Sequence, residues 1–324
     1  MARLYSYSVS KRPTSRDVAR VAGVSQSTVS LVLAGKAEGR VKPETGLAVR
    51  DAARRLGYRP NLAARNLRLG RTRTVLLVVP TLVGPFFGAV YTGAARVASA
   101  RGFSVIVHPW ADDAVPASSP VDIEAIDGVL ASSLGGGVTG MGDLPLVVMD
   151  NDPSGRAPSV NFDVAGGMRS IARHLADLGH RRIGHLASAV DAWTFRVRGE
   201  ALDSVACRAT TAIDVAAARA AALTLLDRPD RPSALVCDDD VIAAGAYKAA
   251  RHLGLDVPGD LSVTGFDDIL VATALEPELT TIRLPAEELG ARAMTALLER
   301  LEGHTPPDVS LPGELIIRAS TARA

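Results

Sequence analysis

The chain has 324 residues, of which 47% are hydrophobic and 22% are charged, and its formal net charge is +1. This length predicts two or three domains with a sizeable core, and the ordinary composition excludes collagen, a coiled coil and intrinsic disorder. Cys207 and Cys237 belong to no disulfide or zinc pattern, and the N-terminal residues lack the apolar segment of a signal peptide. We therefore expect a cytoplasmic protein.

Charge is distributed unevenly along the chain. Residues 1–73 contain 16 Lys and Arg against 4 acidic residues, a local charge of +12, and the remainder carries −11. A basic N-terminal region on an acidic body indicates that the basic region meets a polyanion. A merely solvated arm is the alternative that charge alone leaves open.

The first 60 residues are expected to form short helices. Thr14 and Asp17 have the spacing of a capping box, and Gly23 supplies the positive φ of a tight turn. Ser25 would then cap a second helix with Val29 on its inner face. This is the arrangement of a helix-turn-helix, whose second helix presents its start to base edges in the major groove. The side chains expected to point outward there are Gln26, Ser27, Ser30 and Leu31.

A third helix is expected to begin at Pro43 and to end at Gly57. Beyond residue 73, short apolar strands alternate with helices. The expected strands cover residues 75–79, 104–107, 128–131, 146–149, 182–186, 234–237, 261–264 and 314–317. The expected helices cover residues 86–100, 164–178, 195–205, 215–226, 241–253 and 286–301. This alternation predicts parallel sheets covered on both faces, in two doubly wound lobes.

The uncharged residues 74–95 are long enough to span a bilayer. Pro80, Gly84 and Pro85 divide them, so we expect a strand, a loop and a helix instead. Acidic residues follow several strands at their carboxyl ends, where ligands bind in such folds. Their carboxylates would accept hydrogen bonds from sugar hydroxyls or pair with a cation, and helix capping is the alternative. These residues are Asp150, Asp238, Asp239, Asp240, Asp267 and Asp268.

An ordered series of motifs then resembles a known family. The series begins with DVARVAGVSQSTVSLVL, KPET, AARRLGYRPNLAARNLR, TRTVLLVVP and PFF. It continues with DLGHRRIGHLA, RVRG, DDDVIAAGA, LSVTGFDD and LEPELTTIRLPAEELG. Together these resemble the lactose-repressor/galactose-repressor (LacI/GalR) family of bacterial transcription regulators. The resemblance implies a helix-turn-helix domain in residues 1–59, a hinge helix and linker in 60–73, and a two-lobed, periplasmic-binding-protein-like effector-binding and dimerisation domain in 74–324.

The resemblance also implies how DNA is bound. Residues 61–68 would form a hinge helix in the minor groove, with Leu67 wedged into a base step, although a linker helix packed on the body is the alternative. Gln26, Ser27 and Leu31 would read bases. The full set of expected DNA-binding residues is Thr14, Ser25, Gln26, Ser27, Thr28, Ser30, Leu31, Arg40, Tyr58, Asn61, Ala64, Arg65 and Leu67.

In the body, the resemblance implies a small effector bound between the lobes. The motif RVRG matches the family's effector-site arginine at Arg196, and Asp267 matches the acid after Gly-Phe. An arginine facing carboxylates suits a polyhydroxylated ligand, so a sugar or sugar derivative is expected. The expected effector-binding residues are Phe86, Asp150, Arg196, Asp239 and Asp267.

Three departures from the family pattern affect that site. Asp239 stands where the family usually has Asn, Gly84 replaces a common Asn, and the body is shortened within residues 108–126, 135–142 and 200–214. Shortening thins the lobes. A DNA-binding regulator that no longer responds to a small molecule is therefore the alternative.

The sequence thus predicts a sequence-specific transcription regulator, a repressor, that binds a palindromic operator as a homodimer and associates with the nucleoid when bound to DNA. No catalytic residue, cofactor, metal or membrane partner is expected. The Gly-rich residues 135–142 lack a phosphate-binding motif, and His174, His180 and His185 do not share one helical face. An enzyme or a transport binding protein is the distant alternative.

Overall fold

The computed structural model describes residues 13–58, 72–82, 85–109, 123–132, 143–202 and 205–324. The chain folds into two compact units, one spanning Met1–Arg71 and the other Thr72–Ala324. We call them the head and the body, and each is considered by itself.

The described part of the head contains the helices α1 (Ser15–Ala22), α2 (Gln26–Leu33) and α3 (Pro43–Leu56). The expected capping box is present, because the Thr14 N–H donates to Asp17 Oδ2 at 2.9 Å and the Asp17 N–H donates to Thr14 Oγ1 at 3.4 Å. Gly23 has a φ of 64° at the turn, and Ser25 Oγ accepts from the Thr28 N–H at 3.1 Å. The helices enclose a small apolar core formed by Val18, Ala19, Val29, Val32, Val49, Ala52 and Ala53.

The first lobe of the body is built on a six-stranded parallel sheet with the order β11-β5-β4-β3-β1-β2. Its strands are β1 (Thr74–Val79), β2 (Ser104–Pro109), β3 (Gly128–Ser132), β4 (Leu146–Met149), β5 (Ser159–Phe162) and β11 (Val309–Leu311). A 3₁₀ turn covers Ile123–Ala125, and the helices α4 (Phe86–Ala100) and α10 (Ala286–Leu301) pack against each other and on this core.

The second lobe is built on a four-stranded parallel sheet with the order β7-β6-β8-β9. Its strands are β6 (Ile183–Ser188), β7 (Cys207–Thr211), β8 (Ala234–Cys237) and β9 (Ser262–Thr264). The remaining helices are α5 (Val164–Asp177), α6 (Trp193–Glu200), α7 (Val215–Leu226), α8 (Asp240–His252) and α9 (Leu270–Ala274). An antiparallel pair, β10 (Thr281–Arg283) and β12 (Glu314–Ile316), lies on the segments that connect the lobes.

The path of the chain confirms the predicted two-lobed architecture. It leaves the first sheet after β5, builds the second sheet, and returns through β10 and α10 to place β11 beside β5. It then ends on the second lobe, where the Val263 N–H donates to the Ser320 carbonyl oxygen at 2.9 Å. The lobes are thus connected by crossing segments rather than by one linker.

Most predicted elements of the body are confirmed, and one helix is wrong in its bounds. The helix predicted over 195–205 is α6, Trp193–Glu200, because the chain buries Leu202 in the core and then becomes the extended strand β7. The uncharged residues 74–95 form β1 and the start of α4 within their described part. No helix among the described residues is long and apolar enough to cross a membrane.

The contact between α4 and α10 depends on two glycines. A Cβ atom on Gly93 would overlap the Glu287 carbonyl oxygen, and a Cβ on Gly290 would overlap the Val90 carbonyl oxygen. The helix backbones therefore touch directly, and any larger residue at either position has to push them apart.

We expect Gly290→Ala to lower the free energy of unfolding by at least about 2 kcal/mol, since the methyl group meets backbone that cannot rotate away. Gly88→Ala is the matched control, because Gly88 lies on the same helix pair with open space around its Cβ position. That change should raise stability by about 0.5–1 kcal/mol through reduced backbone entropy. Urea denaturation measures both, and equal effects would contradict the packing argument.

Candidate DNA-reading face and effector site

The head holds α2 with one face packed against the other helices and the opposite face exposed. Val29 and Val32 are buried against the other helices, whereas Gln26, Ser27 and Ser30 are exposed. Gln26 Nε2 donates to Ser15 Oγ at 2.9 Å, which links the exposed face of α2 to α1. These are three of the four side chains that the sequence predicted to point outward, and the fourth, Leu31, is half-buried.

The other predicted DNA-binding residues lie around this face or beyond the described residues. Thr14, Ser25 and Arg40 are exposed, Thr28 and Leu31 are half-buried, and Tyr58 is half-buried against the head core. Asn61, Ala64, Arg65 and Leu67 lie outside the described residues.

In the body, the carboxyl ends of the strands surround a buried arginine, Arg198. Its guanidinium lies 3.9 Å from the centroid of the Phe266 ring and 5.0 Å from that of Phe195. It donates to the Asp238 carbonyl oxygen and, at 3.4 Å, to the carboxylate of Asp267. A guanidinium that stacks on aromatic rings and faces a carboxylate is held in one orientation.

Two acidic residues predicted for the effector site, Asp239 and Asp267, lie near Arg198. Asp239 and Asp267 follow the neighbouring strands β8 and β9, and Asp150 is close enough to act on Asp267 electrostatically. Asp150 and Asp267 both have a positive φ, 46° and 104°, which ordinary residues rarely adopt. Such strain is maintained only where the surrounding structure fixes the residue, and it is concentrated at functional sites.

Burial shifts the protonation of this cluster. Burial raises the pKa of Asp267 well above its usual value, although the Arg198 charge opposes the shift. Burial also raises the pKa of Asp239, and the hydrogen bond to it from the Val241 N–H opposes that shift. Burial therefore favours the neutral, protonated form of both carboxyl groups.

Helix capping accounts for part of the acidic set. Asp239 caps α8 by accepting from the Val241 N–H at 2.6 Å, so the capping and cleft interpretations coexist in this residue. The next residue, Asp240, is buried and accepts from Thr281 Oγ1 at 2.6 Å and from the Ile269 N–H at 2.8 Å.

Asp268, which follows Asp267, faces the segments that connect the lobes. Its carboxylate accepts from Arg283 Nε at 2.7 Å and from an Arg318 amino group at 2.6 Å. Arg283 belongs to β10, and Arg318 follows β12. One acidic side chain therefore joins two of the connecting segments.

Arg196 and Phe86 are the other two residues predicted for the effector site, and their side chains make different contacts from the carboxylates. The Arg196 side chain is half exposed and pairs with Asp191 at 3.0 Å, so the structure does not bring it into the Arg198 cluster. Phe86 is half-buried and packs on the core, with its ring 6.1 Å from that of Phe162. Arg198 was missed by the sequence analysis, although the motif RVRG contains both arginines. Within the described ranges, no three His, Cys, Asp or Glu side chains could hold a metal ion.

Two family descriptions match separate parts of the chain. Residues 14–61 match the bacterial regulatory proteins of the lacI family, and residues 172–321 match a periplasmic binding protein-like domain. A helix-turn-helix head with a body of this kind defines the class of DNA-binding transcription regulators.

Curated relatives match over nearly the whole chain. The HTH-type transcriptional repressor CytR of Escherichia coli K12 is 32% identical, over 95% of this chain and 96% of the relative. The HTH-type transcriptional repressor PurR of Haemophilus influenzae is 30% identical, over 95% of this chain and 98% of the relative. The chain therefore belongs to the LacI family, as its motifs predicted.

Solved structures agree. The transcriptional regulator CelR in complex with cellobiose has a TM-score of 0.69 and 29% identity, and it covers 95% of this chain and 100% of that structure. The Lac repressor dimer bound to operator and the anti-inducer ONPF has a TM-score of 0.83 over 96% of this chain and 100% of that structure. At 24% identity, the latter likeness shows the shared fold.

The protonation of Asp240 makes stability depend on pH. Burial raises the pKa of Asp240 to about 7, whereas the unfolded value is about 4. The folded chain therefore keeps a proton that the unfolded chain loses, and the free energy of unfolding falls as pH rises across this window. The contribution is up to about 1.4 kcal/mol per pH unit, and it levels off above the folded pKa.

Urea denaturation between pH 5 and pH 8 measures this slope. Asp240→Asn should reduce this slope by the contribution of about one proton. Asp227→Asn, the same change at an exposed residue after α7, should leave the slope as in the wild type. An unaltered slope in Asp240→Asn would contradict the assignment.

Proposed function

We propose that the protein is a transcriptional repressor that binds a palindromic operator as a homodimer and is controlled by a small effector bound in the body. The exposed face of α2 carries this proposal, since its polar side chains stand on a helix that is capped and packed in the head. The local charge of +12 in residues 1–73 supports it, because phosphate neutralisation supplies most of the sequence-independent affinity for DNA. The repressor role follows the relatives CytR and PurR.

The body supports the effector part of the proposal. Arg198, Asp239 and Asp267 place strong hydrogen-bond donors and acceptors together at the carboxyl ends of parallel strands, where ligands bind in open α/β sheets. A related structure holds cellobiose and another holds ribose. A sugar or a related polyhydroxylated molecule is therefore the class proposed for this chain. We place the protein in the cytoplasm, on the nucleoid when it is bound to DNA.

Gln26 is proposed to read a base edge. After selection of the operator from a random DNA library, Gln26→Ala should weaken operator binding by about 1–3 kcal/mol and relax the preference at one position of each half-site. Binding to unrelated DNA should change by less than about twofold, because a base contact contributes little there. Fluorescence anisotropy titrations at fixed salt measure both affinities.

Arg40→Ala is the matched control on the same unit. Arg40 is exposed in the loop that precedes α3 and is proposed to contact phosphate, so its loss should weaken operator and unrelated DNA alike and reduce the salt dependence. If Gln26→Ala also weakened both DNAs equally, the base-reading role would be refuted.

Arg198 and Arg196 are tested side by side in the effector response. Arg198→Lys keeps the charge but loses the planar fork, so it should weaken the effector response by about tenfold or more while operator affinity stays within about twofold. Arg196→Ala removes the exposed ion pair between Arg196 and Asp191 and should leave the effector response intact. Operator release is titrated with the ligand that gives the largest thermal stabilisation in a panel of sugars and nucleosides. A weakened response in Arg196→Ala together with an intact response in Arg198→Lys would identify Arg196 as the effector-site arginine instead.

A further inference from the structure

A buried histidine and a buried carboxylate meet in the second lobe, beside an anchor of Arg198. His185, in β6, donates through Nε2 to Asp238 Oδ1 at 2.7 Å, and neither side chain exposes more than 1% of its surface. The second carboxylate oxygen of Asp238 accepts from the Ser188 N–H at 2.8 Å. The neighbouring strands β6 and β8 are therefore also joined through the Asp238 side chain.

The backbone of Asp238 is one of the anchors of Arg198. An Arg198 amino group donates to the Asp238 carbonyl oxygen. Apart from the Phe195 ring of α6 itself, the other anchors are the Phe266 ring and the Asp267 carboxylate, which follow β9. The end of β8 thus supplies one anchor and the end of β9 the others. The orientation of the guanidinium therefore depends on where Asp238 is held.

The hydrogen bonds of the Asp238 side chain hold that residue in place. A buried carboxylate has to keep its hydrogen bonds, because leaving a desolvated charge with fewer partners is costly. Without the His185 N–H, Asp238 retains the Ser188 N–H as its partner in the described structure. It then takes up a proton or turns toward water. Either change alters the residue whose carbonyl oxygen Arg198 contacts.

The face of the sheet that carries His185 also holds open polar atoms. His185 lies directly opposite Val236 in the sheet, and Val236 belongs to the core on which Val197 of α6 packs. Within the described structure, His185 Nδ1, Thr194 Oγ1 and Arg198 Nε are buried and have no hydrogen-bond partner. Buried polar atoms without partners are rare, so a polar ligand or water is expected to meet them. This observation is independent of the contacts of Asp238.

We propose that His185 is a positioning residue of the effector site, which acts through Asp238 to hold the Arg198 guanidinium in the orientation that meets the ligand. This inference rests on the proposed effector function of the body and adds to it a residue that does not itself touch the ligand. The path runs from His185 Nε2 to the Asp238 carboxylate, and from the Asp238 carbonyl oxygen to Arg198. What His185 supplies is an N–H donor, and no proton is transferred.

His185→Leu and His185→Gln separate the N–H donor from the volume of the side chain. Leucine fills a similar space without a donor, whereas glutamine offers an amide N–H close to the position of histidine Nε2. Isothermal titration calorimetry on the full-length protein measures the binding of cellobiose, ribose, glucose, galactose and adenosine. For the probe that binds most tightly, His185→Leu should weaken binding by about tenfold or more, and His185→Gln by less than about threefold.

His180→Leu is the matched control, since His180 is also a buried histidine of the second lobe. It makes hydrogen bonds with Ser233 Oγ at 2.8 Å and Ser262 Oγ at 3.0 Å. These serines lie at the starts of β8 and β9, at the opposite ends of the strands from Arg198. The change should lower the midpoint of urea unfolding and leave the affinity for the probe within about twofold of the wild type.

A double-mutant cycle tests whether His185 acts through Arg198. Because Arg198→Lys already removes the oriented guanidinium, adding His185→Leu should weaken probe binding by less than about twofold further. The same cycle without ligand, measured by urea denaturation, should be non-additive by about threefold or more in the folding equilibrium constant, since both changes affect contacts of Asp238. The cycle of His180→Leu with Arg198→Lys should be additive to within about twofold.

The outcomes separate this inference from the proposed function. Equal affinity of the wild type and His185→Leu for a probe that binds overturns the positioning role and leaves effector control in place. An equal loss in His185→Gln and His185→Leu, an undiminished loss in the Arg198→Lys background, or an additive cycle without ligand also overturns it. Absence of binding by every probe, with operator binding intact, contradicts effector control and the positioning role with it, in favour of a regulator that acts without a small molecule.

Discussion

The burial of the Arg198 guanidinium constrains the residues that surround it in the body. Arg198 has lost its water, and the loss has to be offset by aromatic faces, a carbonyl oxygen and a carboxylate that are held in place around it. Phe266 and Asp267 are adjacent residues after β9, so the strand end supplies both the ring and the charge. Asp239 and Asp150 also act on this group electrostatically, Asp239 through Arg198 and Asp267, and Asp150 through Asp267.

The same strand end also connects the cleft with the segments between the lobes. Asp267 and Asp268 are consecutive residues, both with a positive φ, and their side chains contact different partners. The first meets Arg198, while the second joins Arg283 and Arg318. A ligand that alters the contacts of Asp267 therefore acts on backbone that is tied to two connecting segments. Such a ligand changes the arrangement of the lobes only if it binds two arrangements with different affinity.

The sequence predicted the parts that local patterns determine. The capping box of α1, the turn at Gly23 and the bounds of α4, α7 and α10 were correct, because caps, glycines and apolar periodicity act within a few residues. The strands β5, β7, β10 and β11 were missed, since they are short and are defined by partners elsewhere in the chain. In β5, the N–H and hydroxyl of the buried Ser159 both donate to Asp308, which lies 149 positions away.

The two arginines of RVRG show why the site was harder to predict than the fold. Residues two positions apart on a helix point in nearly opposite directions, so Arg196 and Arg198 exchange places if the helix is rotated by half a turn. The apolar pattern of α6 is too weak to define that rotation. It follows from Thr194 and Arg198, four positions apart, which are both buried on one side.

Opposite charges on the two parts of the chain limit how an effector is able to act on DNA. With −11 beyond residue 73, the rest of the chain is repelled by phosphate, and attraction to DNA is concentrated in the basic residues 1–73. The effector proposed for the body would then have no direct electrostatic route to the operator. In the proposed dimer, such an effector would act by setting the distance and orientation of two heads, which have to match half-sites whose spacing the DNA helix fixes. For the proposed effector, the route from Asp267 to the connecting segments runs through the adjacent Asp268 and its contacts with Arg283 and Arg318.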